Sequence, residues 1–183
     1  MRRLYGPLSI AMVAILAAIL PESGQSLLVY ERSSLESLEL WRLLTGHLLH
    51  TNGWHLLLNL GGLGLIAWLH GSYYNPLGWW LRLGYLALVI SVGLYLWLPD
   101  LSWYVGLSGA LHGLLLMGAA EDIKRGEQTG WWLLGGVIAK VFWEQLAGGS
   151  AQVTALIDAR VVTEAHLLGV LAALPWVATR RGA

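Results

Sequence analysis

Six apolar stretches, each between 17 and 20 residues long, divide this chain and constrain its fold more than any other feature. A helix rises about 1.5 Å per residue, so about 17 to 25 apolar residues suffice to cross the hydrocarbon core of a bilayer. Hydrophobic residues make up 56% of the 183 and charged residues only 12%, too little charge to cover a soluble domain. We therefore predict an all-α membrane protein, one domain over 1–183, with six transmembrane helices at approximately 4–20, 53–69, 79–98, 102–120, 131–147 and 161–178.

Basic residues predict the orientation of these helices in the membrane. If the N-terminus is cytoplasmic, the cytoplasmic segments carry Arg2, Arg3, Arg82, Lys124, Arg125, Arg180 and Arg181. The segments on the other side carry only Arg32, Arg42 and Arg160. Lys and Arg favour the cytoplasmic side, so both termini are expected there. An alternative is that residues 4–20 form a signal peptide, although no A-x-A cleavage site lies near Pro21.

Net charge and cysteine content restrict the partners and the chemistry. The formal net charge is zero, which argues against nucleic acid as a partner, because binding the phosphate backbone requires excess positive charge. The chain has no cysteine, so disulfides and thiol chemistry are excluded. The partner that composition indicates is the lipid bilayer.

Ser108 and His166 are isolated polar residues in the fourth and sixth apolar stretches. A hydroxyl or imidazole at membrane depth costs a few kcal/mol, roughly, unless it has a partner. Both stretches are expected to begin at the outer face, with Ser108 about a turn and a half inside its helix and His166 equally deep. Gly106, Gly109 and Gly169 would let the two helices approach closely. The pair therefore predicts the nucleophile and base of a serine hydrolase, the alternative being a serine bonded to its own helix and an interfacial histidine.

The second apolar stretch carries side chains that could stabilise a negative charge. His55 and Asn59 are four residues apart, so on a helix they share a face, and both are expected level with Ser108. Their N–H groups would suit the oxyanion that forms when a carbonyl is attacked. His50, just before the stretch, could brace the loop or hydrogen-bond a neighbour. Metal binding by His47, His50 and His55 is an alternative, but no carboxylate or cysteine completes a ligand set, so no metal site is expected.

Three groups of residues, the first before and within the second stretch and the others in the fourth and sixth stretches, form one ordered pattern: Trp41-Arg42, His50, His55 and Asn59, then Gly106-Leu107-Ser108-Gly109 with Gly113, then Ala165-His166 with Gly169. This pattern resembles the rhomboid family of intramembrane serine proteases. The resemblance implies a rhomboid-like six-helix bundle and a Ser–His dyad without an acidic third member. It implies that Ser108 is the nucleophile and His166 the base, with an oxyanion site formed by the Ser108 N–H, His55 and Asn59. Supporting positions would be Gly106, Gly109, His112, Gly169 and His50. It also implies transmembrane protein substrates, cleavage near the outer membrane surface and no cofactor.

His112 is a departure from the family pattern. The family often has an aromatic residue four positions after the nucleophile, where this chain has His112. On a helix His112 shares a face with Ser108. It could replace the aromatic ring in packing, hydrogen-bond His166 or compete with His166 as the base. A second departure, Ala173 where glycine is common, preserves close packing.

Two ionisable residues, Lys140 and Glu144, lie four positions apart in the fifth apolar stretch. Ionisable groups at membrane depth usually face protein or water and pair with each other. The two residues are therefore expected to neutralise each other as a structural pair. The resemblance implies an alternative, a polar wall that contacts substrate where the fifth span opens laterally.

The Gly-x-Ser-Gly-x-x-His-Gly run at 106–113 and the lack of a cytosolic domain look like the bacterial rhombosortase branch. This branch implies a multi-pass protein of the bacterial inner membrane with an active site open to the periplasm. It also implies substrates with a C-terminal sorting signal, in which Gly-Gly precedes a hydrophobic span and a basic tail. The rival class is a protein without catalysis, either an inactive relative that binds transmembrane segments or a small transporter.

Overall fold

A computed structural model of the chain describes residues 4–178, and about three quarters of these residues are helical. The helices are α1 (Tyr5–Ala18), α2 (Glu22–Ser26), α3 (Arg32–Glu36), α4 (Arg42–Thr45), α5 (Gly53–His70), α6 (Pro76–Trp97), α7 (Ser108–Lys124), α8 (Thr129–Ala147), α9 (Ala151–Ile157) and α10 (Thr163–Ala178). A 3-10 turn covers Gly46–Leu48, and the strands β1 (Tyr30–Glu31) and β2 (Trp103–Tyr104) pair antiparallel. The predicted all-α class is therefore what the described residues show. Four residues used to predict the orientation lie outside them: Arg2, Arg3, Arg180 and Arg181.

The membrane-crossing capacity of the helices differs. Among the described residues, α6 alone is both long and apolar enough to cross a membrane by length and composition, and α1 and α10 are apolar but shorter. Six membrane spans therefore stay a prediction. Large apolar side chains nevertheless cover much of the outer surface, including Trp68 at 78% and Trp132 at 80% exposure. Such a surface suits contact with lipid or with another protein.

The fourth predicted span begins later than expected. The other five correspond to α1, α5, α6, α8 and α10 to within three residues at each end, but α7 begins at Ser108 instead of residue 102. Trp103 and Tyr104 form a strand, and Gly106 then has φ +125°, which residues with a side chain rarely adopt. The expectation that Ser108 lies a turn and a half inside its helix is therefore wrong. Apolar composition does not distinguish a short strand from a helix, so the sequence did not reveal this break.

Helix α7 lies in the middle of the bundle, where it packs against α5, α6, α8 and α10. Glycines bring α7 and α10 into backbone contact. A Cβ atom on Gly109 would lie 2.7 Å from the Ala165 carbonyl oxygen, and one on Gly113 would lie 2.8 Å from the Gly169 carbonyl oxygen. Small residues thus permit the close approach that the sequence predicts.

The segment between α1 and α5 is held together by Arg42, whose side chain is buried. Its guanidinium donates to the carbonyl oxygens of Ser26 and Val29 at 2.7 and 2.8 Å and pairs with Glu39 at 2.6 Å. Charge-assisted bonds of this kind are about twice as strong as neutral ones. Arg42 therefore fixes the fold of the loop that leads into α5, while its neighbour Trp41 is half-exposed.

Candidate active site

Ser108 and His166, 58 positions apart in the sequence, lie within hydrogen-bonding distance, with 2.9 Å between Ser108 Oγ and His166 Nε2. Ser108 begins α7 and His166 lies in the first turn of α10, so both side chains project from the same end of adjacent helices. The side chain of His166 is 6% exposed, which keeps most water away from the contact. In this geometry an imidazole can accept the proton of a serine hydroxyl.

The second ring nitrogen of His166 contacts a carboxylate. His166 Nδ1 lies 2.9 Å from Oε2 of Glu144 on α8. The family resemblance implied a dyad without an acidic third member, and in the structure a carboxylate lies beside the expected base. The other carboxylate oxygen, Oε1, lies 2.9 Å from Lys140 Nζ, so the ion pair expected on α8 is present but Glu144 is shared between two partners. An acidic residue in an apolar stretch was the only signal of this contact in the sequence.

His112 packs against His166 and is not hydrogen-bonded to it. The two ring centroids are 4.2 Å apart and the ring planes differ by 22°. His112 Nδ1 lies 2.7 Å from the carbonyl oxygen of Ser108, and Nε2 lies 2.7 Å from Lys140 Nζ. Both nitrogens are therefore engaged, one donating to a carbonyl and the other accepting from an ammonium group. Of the roles expected for His112, the structure therefore contains packing of its ring against His166 and not a hydrogen bond to it.

Thr51 orients the ring of His55. The Thr51 backbone N–H lies 3.3 Å from His55 Nδ1. A backbone N–H can only donate, so Nδ1 accepts and Nε2 carries the ring hydrogen. Nε2 points towards Gly106, where a Cβ atom would lie 2.8 Å from it. Glycine thus leaves room for the ring. Sequence reasoning did not single out Thr51, whose four-residue spacing from His55 was the only signal.

Asn59 and the start of α7 supply further donors. Asn59 is buried and its Nδ2 donates to the carbonyl oxygen of His55 at 3.0 Å, which uses one of two amide hydrogens. The first N–H groups of a helix, here those from Ser108 onward, have no partner within it and form the positive end of its dipole. One cavity of about 380 Å³ is lined by all four candidate residues: Asn59, His55, Ser108 and His166. An oxyanion in this cavity would have three kinds of N–H donor nearby.

His50 is buried, and neither of its ring nitrogens has a hydrogen-bond partner. Of the two roles expected for His50, a hydrogen bond to a neighbour is therefore not found, and bracing of the loop stays a prediction. Its ring instead packs edge-on against His55, with 4.9 Å between the centroids. Burial, reinforced by the nearby His55 ring, lowers the pKa of His50 to about 3. His50 is consequently neutral at pH 7 and supports His55 by packing.

The acidic and imidazole groups around His166 also have the spacing of a metal site. Within the described part of the chain, the cluster close enough to share a cation is His112, Glu144 and His166, whose ligand atoms lie within 4.8 Å of one another. The histidines considered from the sequence, His47, His50 and His55, do not form it. Lys140 already donates to His112 and Glu144, so a metal ion would have to displace an ammonium group.

The comparisons with known proteins assign the chain to a family. Residues 37–182 match the family model described as the Rhomboid domain. The chain belongs to the rhomboid family. Comparison with curated proteins finds no match. This rhomboid is thus a membrane-embedded protein from a family whose members are generally intramembrane serine proteases.

In this rhomboid the cavity lies between α5 and α8, and α9 also lines it. Gly62 of α5, Glu144 of α8 and Ile157 of α9 are among its lining residues. The Ser108–His166 contact lies in the same cavity. The cavity combines an apolar lining with a few convergent polar groups, as ligand-binding sites generally do.

Proposed function

We propose that this rhomboid is a serine endopeptidase that cleaves membrane-anchored protein substrates near the outer face of the membrane. One observation carries the proposal: Ser108 Oγ and His166 Nε2 lie 2.9 Å apart in a cavity that also presents N–H donors. Membership of the rhomboid family supports it. An inactive relative would have no need of such a contact.

In the proposed mechanism His166 Nε2 takes the proton of Ser108 as the serine oxygen attacks a peptide carbonyl. The Ser108 backbone N–H, His55 Nε2–H and the second amide hydrogen of Asn59 stabilise the oxyanion. The imidazolium then gives its proton to the leaving amine, which breaks the peptide bond and leaves an acyl-enzyme. Water, activated by His166, releases the acyl group and restores the serine. No metal or organic cofactor takes part in these steps.

The finer proposal is that the enzyme belongs to the rhombosortase branch. It would be a six-span protein of the bacterial inner membrane, with both termini cytoplasmic and the site open to the periplasm. Its substrates would carry a C-terminal Gly-Gly sorting signal. The Gly-x-Ser-Gly-x-x-His-Gly run at 106–113 supports this assignment. Cleavage of a reporter with that signal, and loss of cleavage when Gly-Gly becomes Leu-Leu, would test it.

Labelling with a fluorophosphonate probe in detergent tests the catalytic proposal. Wild type should be labelled, and labelling should be lost in Ser108→Ala and His166→Ala because the nucleophile or its base is missing. Ser102→Ala is the matched control, since this exposed serine lies only six residues away, and it should label normally. Equal labelling of wild type and Ser108→Ala would overturn the proposal. A folded wild type that binds transmembrane segments but never labels would favour the inactive relative.

A further inference from the structure

Glu144 lies where an acidic residue can control the base. Its Oε2 atom is 2.9 Å from His166 Nδ1, and its side chain is only 13% exposed. It is carried by α8, whereas Ser108 is on α7 and His166 on α10, so the packing of three helices brings the three residues together. We propose that Glu144 is a positioning residue that completes a Ser108–His166–Glu144 triad. This inference rests on the proposed function and deepens it.

The positions of the hydrogens give the carboxylate its role. An ionised carboxylate can only accept, so the hydrogen between His166 and Glu144 belongs to Nδ1. Nε2 then keeps its lone pair and can accept the Ser108 proton. In the other tautomer Nε2 would carry a hydrogen and could not act as base. Loss of the correct tautomer when a triad carboxylate is replaced by an amide lowers kcat about 10⁴-fold in the serine-protease template.

Glu144 is itself held by a second contact. Lys140 Nζ donates to Oε1 at 2.9 Å from one turn earlier on the same helix. The ammonium group favours the ionised carboxylate, and the two charges cancel, as ionisable groups in apolar spans usually do. The Lys140 side chain is 48% exposed and lines the same cavity. The carboxylate is therefore fixed from one side and presented to His166 from the other.

The contacts form a closed ring that begins and ends at Ser108. Ser108 Oγ donates to His166, His166 donates to Glu144, and Lys140 donates to Glu144. Lys140 also donates to His112 Nε2, and His112 Nδ1–H donates to the Ser108 carbonyl oxygen. Each of the five contacts has one donor and one acceptor, with no conflict in either histidine. This consistency distinguishes Glu144 from the isolated ion pair that the sequence predicts.

Four variants isolate the role of Glu144. Glu144→Gln removes the charge and offers an amide N–H that favours the wrong tautomer. Lys140→Gln removes the ammonium group that pairs with Glu144 but leaves the contact between Glu144 and His166. The double variant, Lys140→Gln with Glu144→Gln, removes both charges of the ion pair, so neither is left unpaired. Glu164→Gln is the matched control. Glu164 lies on α10, close to His166 in the sequence, but its carboxylate pairs with Arg160. Thermal unfolding verifies that each variant is folded.

The rate of fluorophosphonate labelling and the ¹⁵N chemical shifts of the His166 ring are the two readouts. We expect Glu144→Gln and the double variant to label about 10²- to 10⁴-fold more slowly and to populate the Nε2–H tautomer. Lys140→Gln should lose less than about tenfold and keep the Nδ1–H tautomer, and Glu164→Gln should match wild type. The ring shifts separate a positioning role from a merely structural one, which would leave the tautomer unchanged.

The possible failures are distinguishable. Labelling of Ser108→Ala at the wild-type rate would overturn the proposed function and this inference together. If Ser108→Ala fails to label but Glu144→Gln labels as fast as Glu164→Gln, the triad alone is overturned. Equal losses in Glu144→Gln and Lys140→Gln with the wild-type tautomer in both would also overturn it, because Glu144 would then act only through the ion pair.

Discussion

The hydroxyl of Thr51 donates a 2.6 Å hydrogen bond to the carbonyl oxygen of Ile157 and so ties the start of α5 to the end of α9. The neighbouring Asn52 makes a second tie, from Nδ2 to the carbonyl oxygen of Leu156 at 3.1 Å. Because α9 lines the cavity that contains Ser108, these bonds fix one wall of that cavity.

Removing both ties should loosen α9 without unfolding the bundle. Thr51→Val removes the hydroxyl, and Asn52→Asp removes the amide donor while its carboxylate can still cap α5. Each bond contributes about 0.5–1.5 kcal/mol, so amide exchange over residues 151–157 should be roughly 5- to 150-fold faster in the double variant. Hydrogen–deuterium exchange measures this rate. The single variant Thr51→Ser is the control, because serine keeps the hydroxyl and Asn52 is unchanged. Unchanged exchange in α9 would contradict the prediction.

Gly109→Ala should impair the site more than a typical helix substitution. Its Cβ would lie 2.7 Å from the Ala165 carbonyl oxygen, so α7 and α10 must move apart and separate Ser108 from His166. We expect a loss of about 1–3 kcal/mol in the free energy of unfolding and a marked loss of labelling. Gly135→Ala on α8 is the control, because a Cβ there meets nothing within 4 Å. Thermal unfolding and labelling of both variants measure the effect, and indistinguishable results for the two would contradict it.

Removal of the Asn59 amide should slow the proposed chemistry selectively. An oxyanion donor contributes about 10²- to 10³-fold to the rate, so Asn59→Ala should label more slowly by that factor while it stays folded. Asn75→Ala is the control, because Asn75 caps α6 outside the cavity. It should lose about 1 kcal/mol of stability and label normally. A rate for Asn59→Ala within about threefold of wild type would remove Asn59 from the oxyanion site.

Acid should destabilise the fold through two buried histidines. Burial lowers the pKa of His50 to about 3 and that of His47 to about 4, both from 6.5. Both rings stay neutral in the folded chain but take up a proton in the unfolded chain below pH 6.5. Their contribution to stability is therefore complete above pH 6.5 and is lost as the pH falls towards 4. At pH 5 the loss is about 2 kcal/mol for each ring.

His50→Phe tests the acid prediction. Because neither ring nitrogen of His50 is hydrogen-bonded, phenylalanine loses no bond and cannot titrate. The thermal midpoint of the variant in detergent should fall less between pH 7 and pH 5 than that of wild type. Identical pH dependence in the two proteins would show that His50 does not contribute.

Patterns that are local in the sequence predicted a large part of this fold. Five apolar stretches correspond to helices, and the glycines around Ser108 and on α10 lie where backbones touch. The start of α7 was missed because a short strand and a helix can have the same apolar composition. The lack of hydrogen-bond partners for the ring nitrogens of His50 was missed for a related reason, since composition does not reveal which buried groups find such partners.

The sequence by itself determined the helical class, the family pattern and the placing of a serine and a histidine where each needs a partner. These features follow from the composition of the chain and from the spacing of residues within single helices, so they do not depend on how the helices pack. Only the tertiary structure decided that Glu144 reaches His166, 22 positions away on another helix. That contact depends on the distance and rotation between α8 and α10, which side-chain packing along their whole lengths sets.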